Sequence, residues 1–340
     1  MRLLLKLFPA VILLALLSCG GNKEKTNNDK LPADSLPAGI TALTKKIEAD
    51  PHNAELYNQR AQAYLETKDP GKALSDVNKA IEIDAKNSAY FRTLSDIYFS
   101  MGKAQKCREA LSKALTINDE DTEALLKLAE LDFYFKEYEK CFEDLDRALK
   151  IDEMLPRAFF IKGMAYREMG DTAKAVQNLQ IAVEKDQQYY DAYMQLGLIF
   201  STKHNALAAD YFKNALNIRP KSVEAYYGLG MFFQSVGEYN KAIESYTTIL
   251  KIDPKYKYAH FNLGYIHLVY LKVYDAAIKY FTDAIIVDPN YAEAYYNRGY
   301  SYELRGDINN ARADYIQAMK IKPNYTKAVD GMNRLDKISK

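Results

Sequence analysis

Small and apolar residues recur through most of the chain with a period close to 34 residues. The period is clearest at five glycines, which follow one another at intervals of 34, 33, 34 and 35 residues: Gly163, Gly197, Gly230, Gly264 and Gly299. The same spacing continues toward the N-terminus through Ala129, Ser95 and Ala61. Because an internal period of about 20 to 50 residues indicates a repeat architecture, this pattern predicts an array of similar structural units.

Each copy of the repeat carries the same order of small and large side chains. Counted from the start of the first copy at Ala54, positions 8 and 20 are small in all eight copies, whereas positions 4, 11 and 24 hold mostly larger residues. Small residues allow two helices to approach closely, and larger ones fill the space around their crossing. Glycine at position 15 suits a left-handed helix end, and proline at position 32 stops the second helix. The pattern therefore predicts two packed helices in each copy.

This pattern resembles the tetratricopeptide repeat (TPR), a helix–turn–helix unit of about 34 residues. Position 4, which is usually Trp in that family, holds Tyr, Phe, Leu or His in this chain. The resemblance implies an all-α fold, a right-handed superhelical α-solenoid of eight repeats that covers residues 54–325. The eight copies are residues 54–87, 88–121, 122–155, 156–189, 190–222, 223–256, 257–291 and 292–325.

Local departures from the pattern lead to further expectations. Repeat 5 is one residue short near His204 and repeat 7 is one residue long near Leu271, and we expect both changes to lie in turns. Asp132 replaces the tyrosine that position 11 usually carries, which predicts either loose packing in repeat 3 or a partner for that carboxylate. Residues 37–53 and 326–340 carry the apolar stripe of a single helix, and we expect both to cap the array.

The N-terminal segment has the features of a targeting sequence. Residues 1–18 combine a positive start with an apolar run of 11 residues, which predicts a signal peptide. The end of this run resembles the lipobox of bacterial lipoproteins, which implies cleavage before Cys19 and lipidation of its thiol. The alternative is an ordinary signal peptide that happens to precede a cysteine. Residues 19–36 are then the lipidated Cys19 and a polar, flexible tether.

The resemblance to lipoproteins also implies a location. Gly20 follows Cys19, whereas Asp at this place commonly retains lipoproteins in the inner membrane. We therefore expect the protein in the bacterial cell envelope, lipid-anchored to the outer membrane and facing the periplasm.

Composition and charge argue against several classes of function. Lys and Arg number 46 and Asp and Glu 45, whereas a general nucleic-acid binder shows a basic excess. Three cysteines are too few for a disulfide framework. Core packing positions hold Cys107, Cys141, His260 and His267. Because no motif for metal, phosphate or nucleophile chemistry occurs, we expect no enzymatic activity, cofactor, metal, nucleic acid or small-molecule substrate.

In the TPR family the first helices line a concave face, and the resemblance implies that positions 2, 5, 6 and 9 point into it. We call these the inner positions. At positions 5 and 9 the residues change from polar or charged to apolar or aromatic at repeat 4, and exposed apolar surface usually marks an interaction site. This predicts a partner-binding groove in repeats 4–8. Its candidate residues are Phe160, Met164, Met194, Leu198, Tyr227, Met231, Tyr258, Phe261, Asn262, Tyr265, Tyr296, Asn297 and Tyr300.

Alternatives stay open for these candidates. Asn262 and Asn297 suit hydrogen bonds to a bound peptide backbone, but Asn is common at position 6 in the family anyway. The aromatic stripe is alternatively buried by curvature or in a dimer. Of the 28 tyrosines, 21 lie between Tyr189 and Tyr325, and in repeats 6–8 five of these occupy inner positions. Only those five bear on function, because most of the others recur at packing or turn positions.

These features together predict a protein that binds other proteins. We expect a membrane-anchored scaffold or adaptor that holds a segment of a protein or peptide partner in the groove. One alternative is an envelope assembly factor, resembling pilotin-like lipoproteins or those that assemble outer-membrane proteins. Another is a structural component that associates with itself, and the sequence leaves the oligomeric state open. The Lys and Asn pattern of chaperone-binding TPR proteins is missing from every run of three repeats, which disfavours that function.

Overall fold

A computed structural model describes residues 38–338 of the chain. Within this range the structure consists of 18 helices and the turns between them, without a strand, which confirms the all-α repeat solenoid. Among the described residues, none of the helices is long and apolar enough to cross a membrane. The predicted signal peptide, Cys19 and the tether lie outside the described residues.

The helices divide into two compact units, with the division between Lys185 and Asp186. In the first unit, α1 precedes repeats 1–4, each of which contributes two successive helices. These are α1 (Ala38–Ala49), α2 (Ala54–Glu66), α3 (Pro70–Ile83), α4 (Ser88–Ser100), α5 (Ala104–Ile117), α6 (Thr122–Tyr134), α7 (Tyr138–Ile151), α8 (Pro156–Glu168) and α9 (Thr172–Lys185).

The second unit contains repeats 5–8 in the same order, followed by one more helix. Its helices are α10 (Tyr190–Thr202), α11 (Leu207–Ile218), α12 (Val223–Ser235), α13 (Tyr239–Ile252), α14 (Lys257–Tyr265), α15 (Tyr274–Val287), α16 (Ala292–Arg305), α17 (Ile308–Ile321) and α18 (Thr326–Ile338). In each repeat the two helices pack against one another. The helices at Ala38–Ala49 and Thr326–Ile338 fall in the two segments where single capping helices are expected.

The turn between the two helices of a repeat has one backbone conformation in all eight copies. Position 15, or in repeat 7 the next residue because of the insertion, has a positive φ each time, between 51° and 89°. Four of these residues are glycines, which adopt this conformation without steric cost, and the other four are Lys68, Lys136, His204 and Lys272. The requirement for a left-handed residue therefore comes from the fold, and glycine meets it in only half of the repeats.

The residue at position 8 matches the size of the side chain at position 24 that packs against it. In repeats 1–3, Ala or Ser faces Val or Leu, whereas in repeats 5–8 glycine faces Phe or Tyr. A Cβ atom on Gly230 would lie 2.7 Å from the ring of Tyr246, and one on Gly197 would lie 2.7 Å from Phe212. The aromatic residues at position 24 are fully buried and account for two of the tyrosines of the second unit.

In repeats 1 and 8, an arginine of the first helix forms hydrogen bonds to an aspartate and a threonine of two neighbouring helices. The guanidinium of Arg60 donates to both carboxylate oxygens of Asp76, at 2.6 and 2.8 Å, and to Oγ1 of Thr44 at 3.1 Å. The second unit repeats this arrangement with the same partners in Arg298, Asp314 and Thr282. Thr44 in α1 therefore takes the place that Thr282 takes in the second helix of repeat 7.

The one-residue changes in repeats 5 and 7 are accommodated differently. In repeat 5 the shortening lies between His204 and the start of α11 at Leu207, which is a turn, as expected. The expectation is wrong for repeat 7, where residues Ile266–Leu271 form a π-helical turn that continues α14. Because a π-turn closes hydrogen bonds five residues apart instead of four, it absorbs one extra residue without interrupting the helix.

Asp132 in repeat 3 forms an ion pair with Arg108. This carboxylate is 1% exposed, so the structure favours the paired alternative over loose packing. Cys107 and Cys141 are buried and not bonded to one another, as predicted for core residues. Burial raises the pKa of Cys107 to about 11 and that of Cys141 to about 12, so both thiols stay protonated at neutral pH.

Candidate functional site

The inner positions of repeats 2–4 carry charged residues that are already paired. Nζ of Lys127 lies 2.8 Å from Oδ1 of Asp96. The guanidinium of Arg157 donates to both oxygens of Glu130, at 2.6 and 2.7 Å, and to Oε1 of Glu123 at 2.8 Å. Burial raises the pKa of Glu130 and of Asp96, and the neighbouring cations oppose this rise. These residues form a closed network that leaves little for a partner to pair with.

Repeat 4 does not contribute to an exposed groove as the sequence predicted. Phe160 is fully buried and Met164 is 3% exposed. The prediction of surface positions is therefore wrong for both residues, because the packed helices of the first unit cover them. For these two residues the structure supports the alternative interpretation, in which the apolar side chains are buried.

In repeat 5 the candidate residues also belong mainly to the core. Met194 is 6% exposed and packs in a cluster with Phe212 and Leu229, so its assignment to an exposed groove is wrong. Leu198 is partly buried and packs against the same cluster. An apolar residue at an inner position therefore becomes core where neighbouring helices supply apolar contacts.

The structure brings the aromatic candidates of repeats 6 and 7 together beside the first helix of repeat 7. The rings of Tyr227 and Tyr258 have centroids 6.4 Å apart, and Tyr256 lies 5.8 Å from the first and 5.7 Å from the second. Tyr291 lies 6.3 Å from Tyr258 and 5.1 Å from Phe261. A chain of contacts therefore connects five rings near the start of α14.

The contacts continue along the rest of this helix. Phe261 and Tyr265 are 6.4 Å apart with an interplanar angle of 19°, and Tyr265 lies 6.0 Å from Tyr270 in the π-turn. Tyr270 stacks on Tyr239 at 4.2 Å. We call the eight residues that these contacts connect the aromatic run. They are Tyr227, Tyr239, Tyr256, Tyr258, Phe261, Tyr265, Tyr270 and Tyr291.

The aromatic run remains open to solvent at both ends. Tyr258 is 36% exposed and Tyr270 is 41% exposed, and most other members are partly buried. Around Tyr270 the π-turn also exposes Val269 and Leu271, each at 40%. Apolar side chains that are exposed next to each other in this way are characteristic of interaction surfaces.

Repeat 8 holds a second aromatic group, separate from the aromatic run. The rings of Tyr296 and Tyr300 are nearly parallel, 6.2 Å apart with an interplanar angle of 5°, and Tyr325 lies 5.4 Å from Tyr296. The cations Arg334 and Lys327 lie over the faces of these rings, at 5.4 Å from Tyr300 and 6.0 Å from Tyr296. These rings are partly covered by helix α18.

Both candidate asparagines are buried and donate hydrogen bonds inside the protein. Nδ2 of Asn262 lies 3.4 Å from the hydroxyl of Tyr227 and 3.6 Å from Sδ of Met231. Nδ2 of Asn297 donates to the backbone carbonyl of Glu293 at 2.7 Å. The expectation that they form a ladder for a peptide backbone is therefore wrong for the side chains as they are placed. The bond of Asn262 holds the hydroxyl of Tyr227, and that of Asn297 lies within its own helix.

Three hydroxyl groups of the aromatic run are held in the protonated form by burial. Burial raises the pKa of Tyr227, Tyr256 and Tyr291 above the ordinary value for tyrosine, because removal from water disfavours the phenolate. Sequence reasoning missed Tyr239, Tyr256, Tyr270 and Tyr291, which do not occupy inner positions. For Tyr256 and Tyr291 the sequence did contain a signal. Both occupy position 34 or its equivalent, which directly precedes the first helix of the next repeat.

The two histidines of repeat 7 bond to the backbone. Nε2 of His260 lies 2.9 Å from the carbonyl oxygen of Pro254, and Nδ1 of His267 lies 2.8 Å from that of Leu263. In the part of the chain that the structure describes, there is no group of three or more His, Cys, Asp or Glu side chains arranged to hold a metal ion.

Comparison with known proteins bears on the family. Models of the tetratricopeptide repeat match residues 54–87, 93–121, 162–222, 223–256 and 292–325, which together make up more than half of the chain. Among solved structures, the C-terminal part of a TPR repeat-containing protein from Cytophaga hutchinsonii is 22% identical and has a TM-score of 0.61, and the match covers 71% of this chain and 98% of that one. The pilF protein of Pseudomonas aeruginosa is 16% identical with a TM-score of 0.52, over 60% of this chain and 93% of that one. At these identities the two likenesses show the fold alone.

Proposed function

Because the chain belongs to the tetratricopeptide repeat family, whose repeats support protein–protein interaction scaffolds, we propose that it is an adaptor that binds a partner segment on the aromatic run. The TPR-only architecture of the matched residues is typical of scaffolds without catalytic activity. The proposed site is smaller than the groove that the sequence predicted, because the candidates of repeats 4 and 5 are largely core residues.

One observation carries this proposal: eight aromatic residues form a connected surface whose ends are exposed. Aromatic side chains contribute a large contact area at a small entropic cost, and tyrosine adds a hydroxyl that can bond to a partner. A protein that had no use for such a surface would gain solubility from polar residues at Tyr258 and Tyr270. At the position of Tyr258, repeats 3 and 4 carry Glu123 and Arg157, so this fold accepts charged residues there.

We test this proposal with the double variant Tyr258→Ala and Tyr265→Ala. We expect it to lose the proteins that co-purify with the wild type from its source cells, as measured by quantitative mass spectrometry. The matched control is Tyr134→Ala, because Tyr134 is 50% exposed and belongs to the first unit, whereas the aromatic run belongs to the second. Circular dichroism should show the same helix content in all three proteins. Retention of every partner by the double variant would contradict the proposal.

We also propose that the adaptor is a lipoprotein, held at the outer membrane through Cys19 with the repeats facing the periplasm. The support is the sequence of residues 1–20 alone. Cys19→Ala should abolish incorporation of labelled palmitate and release the protein from the membrane fraction. Labelling that persists in this variant would refute the anchor without affecting the proposed binding surface.

A further inference from the structure

The aromatic run offers hydrogen-bond donors that nothing in the described part of the chain accepts. Between residues 38 and 338, no acceptor is bonded to the hydroxyls of Tyr256, Tyr258, Tyr265, Tyr270 or Tyr291. The hydroxyl of Tyr227 accepts from Asn262 and keeps its own proton free. None of these hydroxyls is among the fully buried side-chain atoms of the described residues that lack a partner, so they reach solvent and can donate to a ligand that supplies acceptors.

Two of the cations beside the aromatic run are already paired. Nζ of Lys257 lies 2.6 Å from Oδ2 of Asp288, and it lies over the rings of Tyr258 and Tyr291 at 5.2 and 5.3 Å. Glu293 pairs with Lys322 at 3.1 Å. A strongly charged partner would therefore have to compete with these two pairs.

An extended proline-rich segment has the complementary chemistry. Proline has a backbone carbonyl but no N–H, so such a segment presents acceptors and apolar rings and almost no donors. It adopts the polyproline II conformation before binding, and aromatic grooves recognise it at a low entropic cost. A helical or β-strand partner differs, because its backbone groups are bonded internally or bring N–H donors that need acceptors.

The length of the surface sets the length of the segment. From Lys257 to Leu271 the first helix of repeat 7 and its π-turn rise about 20 Å, at roughly 1.5 Å per residue. A polyproline II segment advances about 3.1 Å per residue, so six or seven residues span this distance.

The extra residue of repeat 7 is what extends the surface to Tyr270. In a regular α-helix a residue five positions after Tyr265 points about 140° away from it, because each turn has 3.6 residues. In the π-turn the same residue returns to the side of Tyr265, and the two rings are 6.0 Å apart. Tyr270 in turn stacks on Tyr239, which links the end of this helix to repeat 6.

From these observations we propose that the aromatic run binds a proline-rich segment of about six residues in the polyproline II conformation, and that the π-turn of repeat 7 serves to complete this surface. The inference rests on the proposed function and names the class of its partner.

The experiment titrates the folded repeat protein into fluorescein-labelled decaproline and measures fluorescence anisotropy. Two labelled peptides of ten residues serve as controls, one of alternating Gly and Ser and one helical and rich in Ala, Glu and Lys. We expect saturable binding of decaproline and at least about ten-fold weaker binding of both controls. Equal binding of all three peptides, or no binding of decaproline, would overturn the proposal.

Variants then locate the site without removing its rings. The double variant Tyr258→Phe and Tyr265→Phe should bind decaproline at least about 5-fold more weakly, since each lost hydrogen bond contributes about 0.5–1.5 kcal/mol. Tyr134→Phe, outside the run, should bind like the wild type. Unchanged affinity of the double variant would overturn the role of the hydroxyls.

Deletion of Val269 tests the π-turn, because it restores the 34-residue spacing of the repeat. We expect a helical protein whose affinity for decaproline falls by roughly 5-fold or more, as the contacts of Tyr270 are lost. Tyr270→Ala serves as a second variant if the deletion alters the fold, and it should weaken binding to a similar extent. Full affinity in both would overturn the role of the turn.

The two proposals fail in different ways. If decaproline does not bind but the variant Tyr258→Ala and Tyr265→Ala still loses its cellular partners, the surface is an interaction site for another class of segment. If the partners are also retained, the proposed function itself is contradicted.

Discussion

At position 9, repeats 2 and 3 carry Asp96 and Glu130, whereas repeats 7 and 8 carry Tyr265 and Tyr300. The carboxylates pair with cations from the following repeat, at 2.8 Å for Asp96 and 2.6 Å for Glu130. The hydroxyl of Tyr265 has no such partner in the described residues. Equivalent places in one fold therefore hold a closed network in one unit and an open surface in the other.

This difference shows how a repeat array separates stability from recognition. A buried ion pair is specific in its geometry, and loss of one partner leaves a charge without compensation. An exposed tyrosine contributes less to folding and more to contact with a partner. Substitutions in the paired network of repeats 2–4 should therefore reduce folding stability, and substitutions in the aromatic run should reduce binding of the partner.

The largest effect on stability should come from Arg157→Met in the paired network. Arg157 holds Glu130, whose side chain is 4% exposed, and removing one partner of a buried pair costs about 3–5 kcal/mol. Chemical denaturation followed by circular dichroism measures the change. The control Lys140→Met breaks an exposed pair with Glu137 and should cost about 1 kcal/mol or less. Equal losses in the two variants would contradict the closed network.

The same variant should be sensitive to pH in a defined direction. Burial already raises the pKa of Glu130, and without Arg157 this pKa rises further. The folded state then keeps a proton that the unfolded state releases above about pH 4.3, so stability falls as pH rises. The difference from the wild type should be smaller at pH 5 than at pH 8, and the opposite trend would contradict this assignment.

A medium effect should follow from Gly230→Ala in repeat 6. The new Cβ would lie 2.7 Å from the buried ring of Tyr246, and such overpacking costs about 1–3 kcal/mol. The double variant with Tyr246→Leu reproduces the pairing of Ala129 with Leu145 in repeat 3. It should lose less stability than the sum of the two single variants. Strict additivity would show that positions 8 and 24 are not matched.

A smaller effect on stability is expected for Tyr258→Ala, because this ring is 36% exposed. The loss in unfolding free energy should stay near 1 kcal/mol or below, in contrast with Arg157→Met. The Arg157→Met protein, provided that it is folded at the assay temperature, should retain its partners. A destabilisation above about 3 kcal/mol for Tyr258→Ala would show that this tyrosine is a core residue instead.

The smallest effect should be a gain, in Lys136→Gly. Lys136 has a φ of 60°, which is unfavourable for a residue with a Cβ, and glycine relieves this cost at the expense of a more flexible unfolded chain. We expect a stabilisation of about 0.5 kcal/mol in chemical denaturation. The reverse change at the equivalent position, Gly102→Lys, should destabilise by a similar amount, and a loss in both would contradict this reason.

Much of the fold follows from the sequence because its constraints are local or repeat. Glycine or alanine at position 8 and alanine at position 20 recur often enough to place every pair of helices. The buried state of Cys107 and the need for a partner at Asp132 follow from their positions in the repeat. The prediction that the extra residue of repeat 7 lies in a turn was wrong. The sequence shows that repeat 7 is one residue longer, but a π-turn and a longer loop would add the same number of residues.

The candidate site was predicted less well, for a physical reason. Positions 5 and 9 were read as surface, yet Phe160, Met164 and Met194 are covered by neighbouring helices, which depends on contacts between repeats. Tyr270 shows the opposite error, because it belongs to the aromatic surface but was not predicted to. The numbering of the repeat places it in a turn. The π-turn moves it beside Tyr265, and no pattern in the sequence indicates that rotation.

The most direct test of the binding surface is site-specific photocrosslinking at one repeat position in both units. A benzoylphenylalanine replaces Tyr265 in repeat 7 in one protein and Gln62 in repeat 1 in the other, both at position 9. Gln62 is exposed, and its replacement removes a single hydrogen bond to Thr93. After irradiation in the source cells, a discrete crosslinked partner is expected at position 265 and none at 62. A crosslink at 62 without one at 265 would contradict the account.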